Sequence, residues 1–247
     1  MNTSIIAAAQ SISKRGDVQK NLEGHYRLIE LALSNHAQII VFPELSLTGY
    51  EPDLAKSLAF SKNDNRLTTL RKLSVQKNIV IVAGAPVQLE SGLHIGAFII
   101  SPDASIQIYT KRYLHSSEEN YFSPCFLNPI IKIGEETAAL AICADTSNPQ
   151  HPLDAVSSGA SIYLAGVLFS DKCYPTDAEQ LRGYSMQYNL TVALANHGGD
   201  SGEYHSAGRS AIWSPSGEIL AEMSGTGEGI VLAVKDKDRW RGRTIKK

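Results

Sequence analysis

Ala37-Gln-Ile-Ile-Val-Phe-Pro-Glu-Leu-Ser-Leu-Thr-Gly-Tyr50 opens with a short run that is apolar at nearly every residue and then breaks at a proline. A strand with apolar side chains on both faces is covered on both, the pattern of a parallel sheet flanked by helices. Upstream, Ser4-Ile-Ile-Ala-Ala-Ala9 reads as another buried strand. Gly16-Asp17 supplies a turn and an N-cap before Val18, Leu22, Tyr26, Ile29 and Leu33, which share one helical face. Strand, helix, strand implies a parallel crossover and an α/β class. Downstream the unit repeats: Leu67, Leu70 and Leu73 mark a helix over 67–77, and Ile79 to Ala83 is the next strand.

The pattern then changes. Segments 93–100 and 105–109 flank Ser101-Pro102-Asp103 and read as an antiparallel hairpin, so the sheet is expected to be mixed. Segments 130–133 and 137–142 form a second hairpin. A helix over 153–158, a strand over 159–165, a helix over 177–189 and a strand over 190–195 restore the alternation. Segments 210–213 and 218–221 pair around Ser214-Pro-Ser-Gly217, and 230–234 is read as the last strand. Residues 235–247 carry seven lysines and arginines against Asp236 and Asp238, and are read as a basic tail that is solvated or contacts another subunit.

With 247 residues the chain suits one large domain, 1–247, able to bury a sizeable core. A hydrophobic fraction of 43% is ordinary, and no apolar run reaches the roughly 18–20 residues of a membrane helix. The N-terminus lacks the basic region and apolar core of a secretory signal, so a cytoplasmic setting is expected. Three cysteines, at 125, 143 and 173, with no C-x-x-C spacing argue against a disulfide framework or a cysteine-rich zinc site. A formal charge of −2 gives no general reason to bind nucleic acid or an anionic membrane. Small molecules are the expected partners.

Three chemically distinct residues follow apolar strands: Glu44 after the second, Lys111 after the 105–109 strand, and Cys143 after 137–142. Strand ends are common ligand sites in α/β proteins, so neighbouring strands would bring these side chains to one pocket. Together they form a coherent set. A carboxylate can take the thiol proton, the thiolate can attack an acyl or nitrile carbon, and an ammonium can stabilise charge developing on oxygen. Taken singly, Cys143 reads as a small buried hydrophobe and the two charged residues as surface groups.

Phe42-Pro-Glu-Leu-Ser-Leu-Thr-Gly-Tyr50, Lys111-Arg-Tyr-Leu with Glu118 and Tyr121-Phe122, and Ile142-Cys-Ala-Asp145 resemble, in order, the three signature regions of the nitrilase superfamily of carbon–nitrogen hydrolases. Ala195-Asn-His-Gly-Gly199 and Gly208-Arg-Ser-Ala-Ile-Trp-Ser-Pro-Ser-Gly217 extend the resemblance over nearly the whole chain. It implies a four-layer α-β-β-α sandwich with mixed sheets, commonly paired into a homodimer through its helical face. It further implies Glu44 as general base, Lys111 as oxyanion-stabilising group and Cys143 as nucleophile. Glu118, in preference to Glu119, would help position substrate and base, and the Ala144 N–H would be a second oxyanion donor. The expected activity is that of an amidase acting on a small amide through a thioester, with no metal or organic cofactor.

The sequence also departs from the family pattern. Ala144 stands where many members carry an aromatic residue, and Asn148-Pro149-Gln150 replaces a Phe-Pro-Glu, so substrate pocket and subunit contacts are expected to differ. Nitrilase or N-carbamoyl hydrolase chemistry on the same trio, a catalytically silent ligand-binding protein, and a redox thiol protein are the alternatives. Cys125 and Cys173 are read as packing residues, and His197 and His205 as loop hydrogen-bonding residues.

Overall fold

The computed structural model describes residues 3–237 and 239–247. Two sheets stack face to face. The first runs in the order β13-β12-β1-β2-β3-β4-β5. It consists of β1 (Ser4–Gln10), β2 (Ile39–Val41), β3 (Val80–Leu89), β4 (Gly92–Ile100), β5 (Ile106–Thr110), β12 (Gly229–Asp236) and β13 (Arg239–Lys246). The second runs β11-β10-β9-β8-β7-β6. Its strands are β6 (Ile131–Ile133), β7 (Glu136–Ile142), β8 (Ile162–Val167), β9 (Thr191–Asn196), β10 (Ala211–Trp213) and β11 (Ile219–Glu222).

The parallel crossovers lie where the apolar runs put them. In the first sheet β1, β2 and β3 are parallel, and in the second β7, β8 and β9 are parallel. The remaining pairings, β3 with β4 and β10 with β11 among them, are antiparallel, so both sheets are mixed.

Three apolar layers follow from the alternation of side chains along each strand. Ile6, Ile39 and Val82 of the first sheet meet Leu140, Leu164 and Ala193 of the second to form the inter-sheet core. The outward residues Ile40, Ile81 and Phe98 pack beneath α1 (Val18–Leu33) and α3 (Thr68–Lys77). On the opposite side Tyr163, Ala165 and Val192 pack beneath α4 (Gln150–Ser157) and α5 (Tyr174–Tyr188). The order helix, sheet, sheet, helix is the four-layer sandwich that the resemblance implied.

Three local differences have physical reasons. The strand expected over 79–83 continues to Leu89 through Pro86, because β2 ends at Val41 and leaves that edge of β3 without a strand to receive an N–H. A short helix, α2 (Ala55–Leu58), occupies a segment with too few periodic residues to announce it. The basic tail is largely a strand: β13 pairs with β12 from Gly229↔Lys246 to Asp236↔Arg239. Trp240 turns toward the inter-sheet core and Ile245 toward the helical layer. Charge along an edge strand guards its open backbone against further pairing, and that charge is what the sequence shows as a basic run.

The end of β2 is seated between the sheets by two glycines. A Cβ at Gly84 would lie 2.6 Å from the Pro43 carbonyl oxygen and the Leu45 nitrogen, and one at Gly166 would lie 2.6 Å from the Phe42 carbonyl oxygen. Gly166→Ala is therefore expected to destabilise the fold by about 1–3 kcal/mol, the usual cost of overpacking, in urea unfolding. Gly183→Ala on α5, where a Cβ would meet nothing within 4 Å, is expected to leave stability unchanged or raise it by up to about 1 kcal/mol.

Candidate active site

Glu44 leaves β2 at this crowded point, and its backbone is held by a donor from the other sheet. The His197 Nε2–H donates to the Glu44 carbonyl at 2.7 Å. Below it, the His25 Nδ1–H donates to the Asn21 carbonyl at 2.7 Å, so Nε2 accepts the Ser46 hydroxyl at 3.0 Å. Burial lowers the pKa of both imidazoles to about 4, so both are neutral near pH 7. They are scaffolding, in keeping with the hydrogen-bonding role expected for His197; His205 lies on the surface beside Asp200.

The Glu44 carboxylate is buried, at 1% exposure, and its Oε1 accepts a hydrogen bond from the Lys111 ammonium at 2.7 Å. Lys111 follows β5 and is fixed by its own N–H donating to the Ile95 carbonyl. The same Nζ donates to Glu118 Oε1, also at 2.7 Å. Glu118 is fixed in turn by the Tyr50 hydroxyl at 2.7 Å and by the His115 N–H on Oε2 at 2.8 Å. Glu119, one residue on, is exposed, so Glu118 is the one of the two that reaches the ammonium.

One ammonium thus serves two buried carboxylates. Burial is the largest influence on Lys111 and pulls its pKa down, but Glu44, Cys143 and Glu118 together hold it above the ordinary lysine value. Glu44 moves the other way: burial raises its pKa to about 7, against the opposing pull of Lys111 and with a further push from Glu118.

Cys143 directly follows β7 and opens the 3₁₀ turn Cys143–Ser147 with φ at 44°. The left-handed backbone turns the chain sharply, and the thiol stays half-buried beside Glu44 and Lys111. Burial, then the Glu44 charge, push the thiol pKa well above its usual value, while Lys111 and the Leu168 backbone oppose them. A proton acceptor is therefore required to make the thiolate. Glu44 Oε2 is the buried carboxylate oxygen with no hydrogen-bond partner among the described residues. The Ala144 N–H lies in the first turn of the 3₁₀ segment, where backbone donors have no partner within the helix.

All the expected residues are thus brought together. Sequence reasoning missed Tyr50 and Asp145, both within the quoted motifs but without a pattern that reveals their partners. Cys125 and Cys173 are half-buried free thiols, and Asn196 spends its amide on Phe169, His197 and Gly208 backbone groups. No group of three or more His, Cys, Asp or Glu among the described residues is placed to hold a metal ion. No helix among them is long and apolar enough to cross a membrane.

Lys111→Met would leave Glu44 and Glu118 facing each other without a cation. Breaking such a pair from one side is expected to cost about 3–5 kcal/mol of stability at neutral pH and above. The raised carboxyl pKa sets the sign: stability is retained below the unfolded value and lost as pH rises through the folded one. The loss in urea unfolding should therefore be smaller at about pH 5 than at about pH 8.

Comparison with known proteins places this arrangement in a family. Residues 5–243 match the model for carbon-nitrogen hydrolases. The 2-oxoglutaramate amidase of Bacillus subtilis is 28% identical, with 82% of this chain and 80% of that protein aligned. The nitrilase of Pyrococcus abyssi is 26% identical over 92% of this chain and 87% of its own length. The glutamine-dependent NAD(+) synthetase of Thermotoga maritima is 25% identical over 87% of this chain, which spans 39% of that longer protein. Among solved structures, the amidase of Nesterenkonia sp. AN1 superposes with a TM-score of 0.85 at 23% identity, covering 95% of this chain and 92% of that one, a likeness of fold. Both the resemblance and the reading as a hydrolase of carbon–nitrogen bonds are borne out: the chain belongs to the carbon–nitrogen hydrolase family.

Proposed function

We propose that this protein is an amidase that hydrolyses a small amide through a thioester on Cys143. The observation that supports the reading most directly is the buried Lys111 ammonium bound to Glu44 beside a thiol whose proton must be removed. Glu44 takes the Cys143 proton and the thiolate attacks the amide carbon. The tetrahedral oxyanion is stabilised by the Lys111 ammonium and the Ala144 N–H. Glu44 then returns the proton to the departing nitrogen, releasing ammonia or an amine and leaving the acyl group on sulfur. Water enters, Glu44 removes its proton, and the thioester is cleaved to the carboxylic acid with the thiol restored.

A carboxyl that must both accept and return a proton works best with a pKa near the working pH, and burial has moved Glu44 to about 7. Glu118 holds the ammonium from its other side and receives the Tyr50 hydroxyl. Tyr50 also lines a cavity of about 410 Å³ with Arg15, Glu51, Ser117, Tyr121 and Tyr204, which we take as the approach for substrate. The 2-oxoglutaramate amidase relative supports an amide substrate, and the Pyrococcus abyssi nitrilase supports a nitrile as the alternative. In a glutamate-to-leucine mutant of the Nesterenkonia amidase the acetamide moiety of fluoroacetamide adds covalently at the active-site cysteine. The proposal extends to one hydrolase domain over 1–247, to a cytoplasmic setting consistent with three free thiols, and to a homodimer through the α4–α5 face, where Leu153 and Met186 are exposed.

Purified protein offered small amides, ureido acids and nitriles should release ammonia fastest from an amide, with an acyl adduct detected by mass on Cys143. Cys143→Ala should abolish turnover. Wild-type turnover by Cys143→Ala would overturn the mechanism, and silence of the wild type across the panel would favour a ligand-binding role. Because Glu44 must be ionised to take the thiol proton, kcat/KM should rise with pH through about 7 and then level. A flat profile across that interval would remove Glu44 as the base.

A further inference from the structure

Asp145 is fully buried; among the described residues no lysine or arginine is ion-paired to it, and the four hydrogen bonds its carboxylate accepts come from two strand ends. Its Oδ1 accepts the Arg112 N–H and the Tyr113 N–H, both at 2.9 Å. Its Oδ2 accepts the Ile142 N–H at 2.9 Å and the Tyr109 hydroxyl at 2.6 Å. These donors flank the two reactive side chains: Arg112 and Tyr113 follow Lys111, and Ile142 precedes Cys143. β5 and β7 belong to different sheets, so no strand ladder fixes the distance between the ammonium and the thiol. Asp145 ties the two strand ends together through backbone donors on both.

We infer that Asp145 is a positioning residue that sets the Lys111 ammonium and the Cys143 thiol in register across the two sheets. The inference rests on the reading of Cys143 as nucleophile. The clamp is itself held. Having donated to Asp145, the Tyr109 hydroxyl accepts the His151 Nε2–H at 2.8 Å, and His151 Nδ1 accepts the Tyr163 hydroxyl at 2.7 Å. Burial is the main reason the His151 pKa is lowered, so the ring stays neutral and the direction of each hydrogen bond is fixed. The chain Tyr163, His151, Tyr109, Asp145 therefore anchors the carboxylate to α4 and β8 behind the site.

Asp145→Asn distinguishes positioning from mere packing, because it has the same shape. An amide can keep one carbonyl oxygen on the Arg112 and Tyr113 donors, but its NH2 then faces the Ile142 N–H. Tyr109 can reverse by a change of His151 tautomer; a backbone N–H cannot. The mismatch falls on the residue before the nucleophile. Tyr109→Phe is a milder second variant, removing one donor and leaving three.

The rate of Cys143 alkylation by 2-chloroacetamide, followed by mass, should be measured with kcat and KM for the best amide, alongside circular dichroism and thermal unfolding. Folded Asp145→Asn should lose about 10- to 100-fold in both alkylation rate and kcat, the cost of a displaced reacting pair. KM should stay within about twofold, since substrate contacts are intact. Tyr109→Phe should fall between the variant and the wild type, and carries the test alone if Asp145→Asn does not fold. A lowered melting temperature with wild-type alkylation and kcat would overturn the inference and leave Asp145 a packing residue. If the wild type turns over no amide yet the variants still alkylate slowly, the positioning role stands and the amidase reading fails.

Discussion

A single buried ammonium holds the centre of this molecule together. Lys111 is 1% exposed and lies 2.7 Å from a carboxylate oxygen of Glu44 and 2.7 Å from one of Glu118. Removing three charges from water is costly, and such a group persists only when every partner is placed to offset that cost. Placement demands rigid anchors, and each member has them: β2 and His197 for Glu44, β5 for Lys111, Tyr50 and the His115 N–H for Glu118. Burial is the main influence favouring the protonated forms of Glu44 and Cys143, with the neighbouring carboxylates adding to it and Lys111 opposing it. The same burial that holds the thiol protonated at rest gives Glu44 the basicity to remove its proton.

The sandwich makes that cluster possible by bringing the ends of two sheets together. Gly84 reaches the Glu44 turn from the first sheet and Gly166 from the second, each at a spacing that leaves no room for a Cβ. Small residues at these points let backbone approach backbone, so that a side chain from one sheet can work on a side chain from the other. Inter-sheet packing of apolar residues supplies the bulk of the attraction but is tolerant of small slides. Polar links at the mouth, His197 to Glu44 and Asp145 to Arg112 and Tyr113, supply direction.

Much of the architecture was legible in the chain because buried parallel strands read as unbroken apolar runs. Val80–Val82, Ala138–Ile142 and Thr191–Ala195 could be placed from residue type alone. Glu44, Lys111 and Cys143 stood out only as a set, since each taken singly reads as a buried hydrophobe or a surface charge and their shared place after apolar strands is what groups them. What the sequence could not show were relations across space. The pairing of β13 depended on Trp240 and Ile245 finding opposite faces of a sheet built from the other end of the chain. Tyr50 and Asp145 read as ordinary motif residues because their partners lie 68 and up to 36 positions away. His197 could be read as a hydrogen-bonding residue, but its partner, the Glu44 carbonyl, lies 153 positions off.

The two sharp turns of the site share one backbone feature that ties local strain to chemistry. Cys143 has φ at 44° and Leu45, next to Glu44, has φ at 50°, a region that side chains other than glycine enter at a cost of order 1–3 kcal/mol. Neither residue is glycine, so the surroundings must hold these conformations. At Leu45 the constraint comes from Gly84 packed against its nitrogen and from the His197 bond to the preceding carbonyl. At Cys143 it comes from Asp145 gripping the Ile142 N–H and from the Thr146 hydroxyl donating to the Cys143 carbonyl at 2.8 Å. A relaxed turn at either place would swing its side chain away from Lys111. The strain is therefore the local expression of the constraint imposed by the ammonium: both turns must stay sharp for a carboxylate and a thiol to face the same cation.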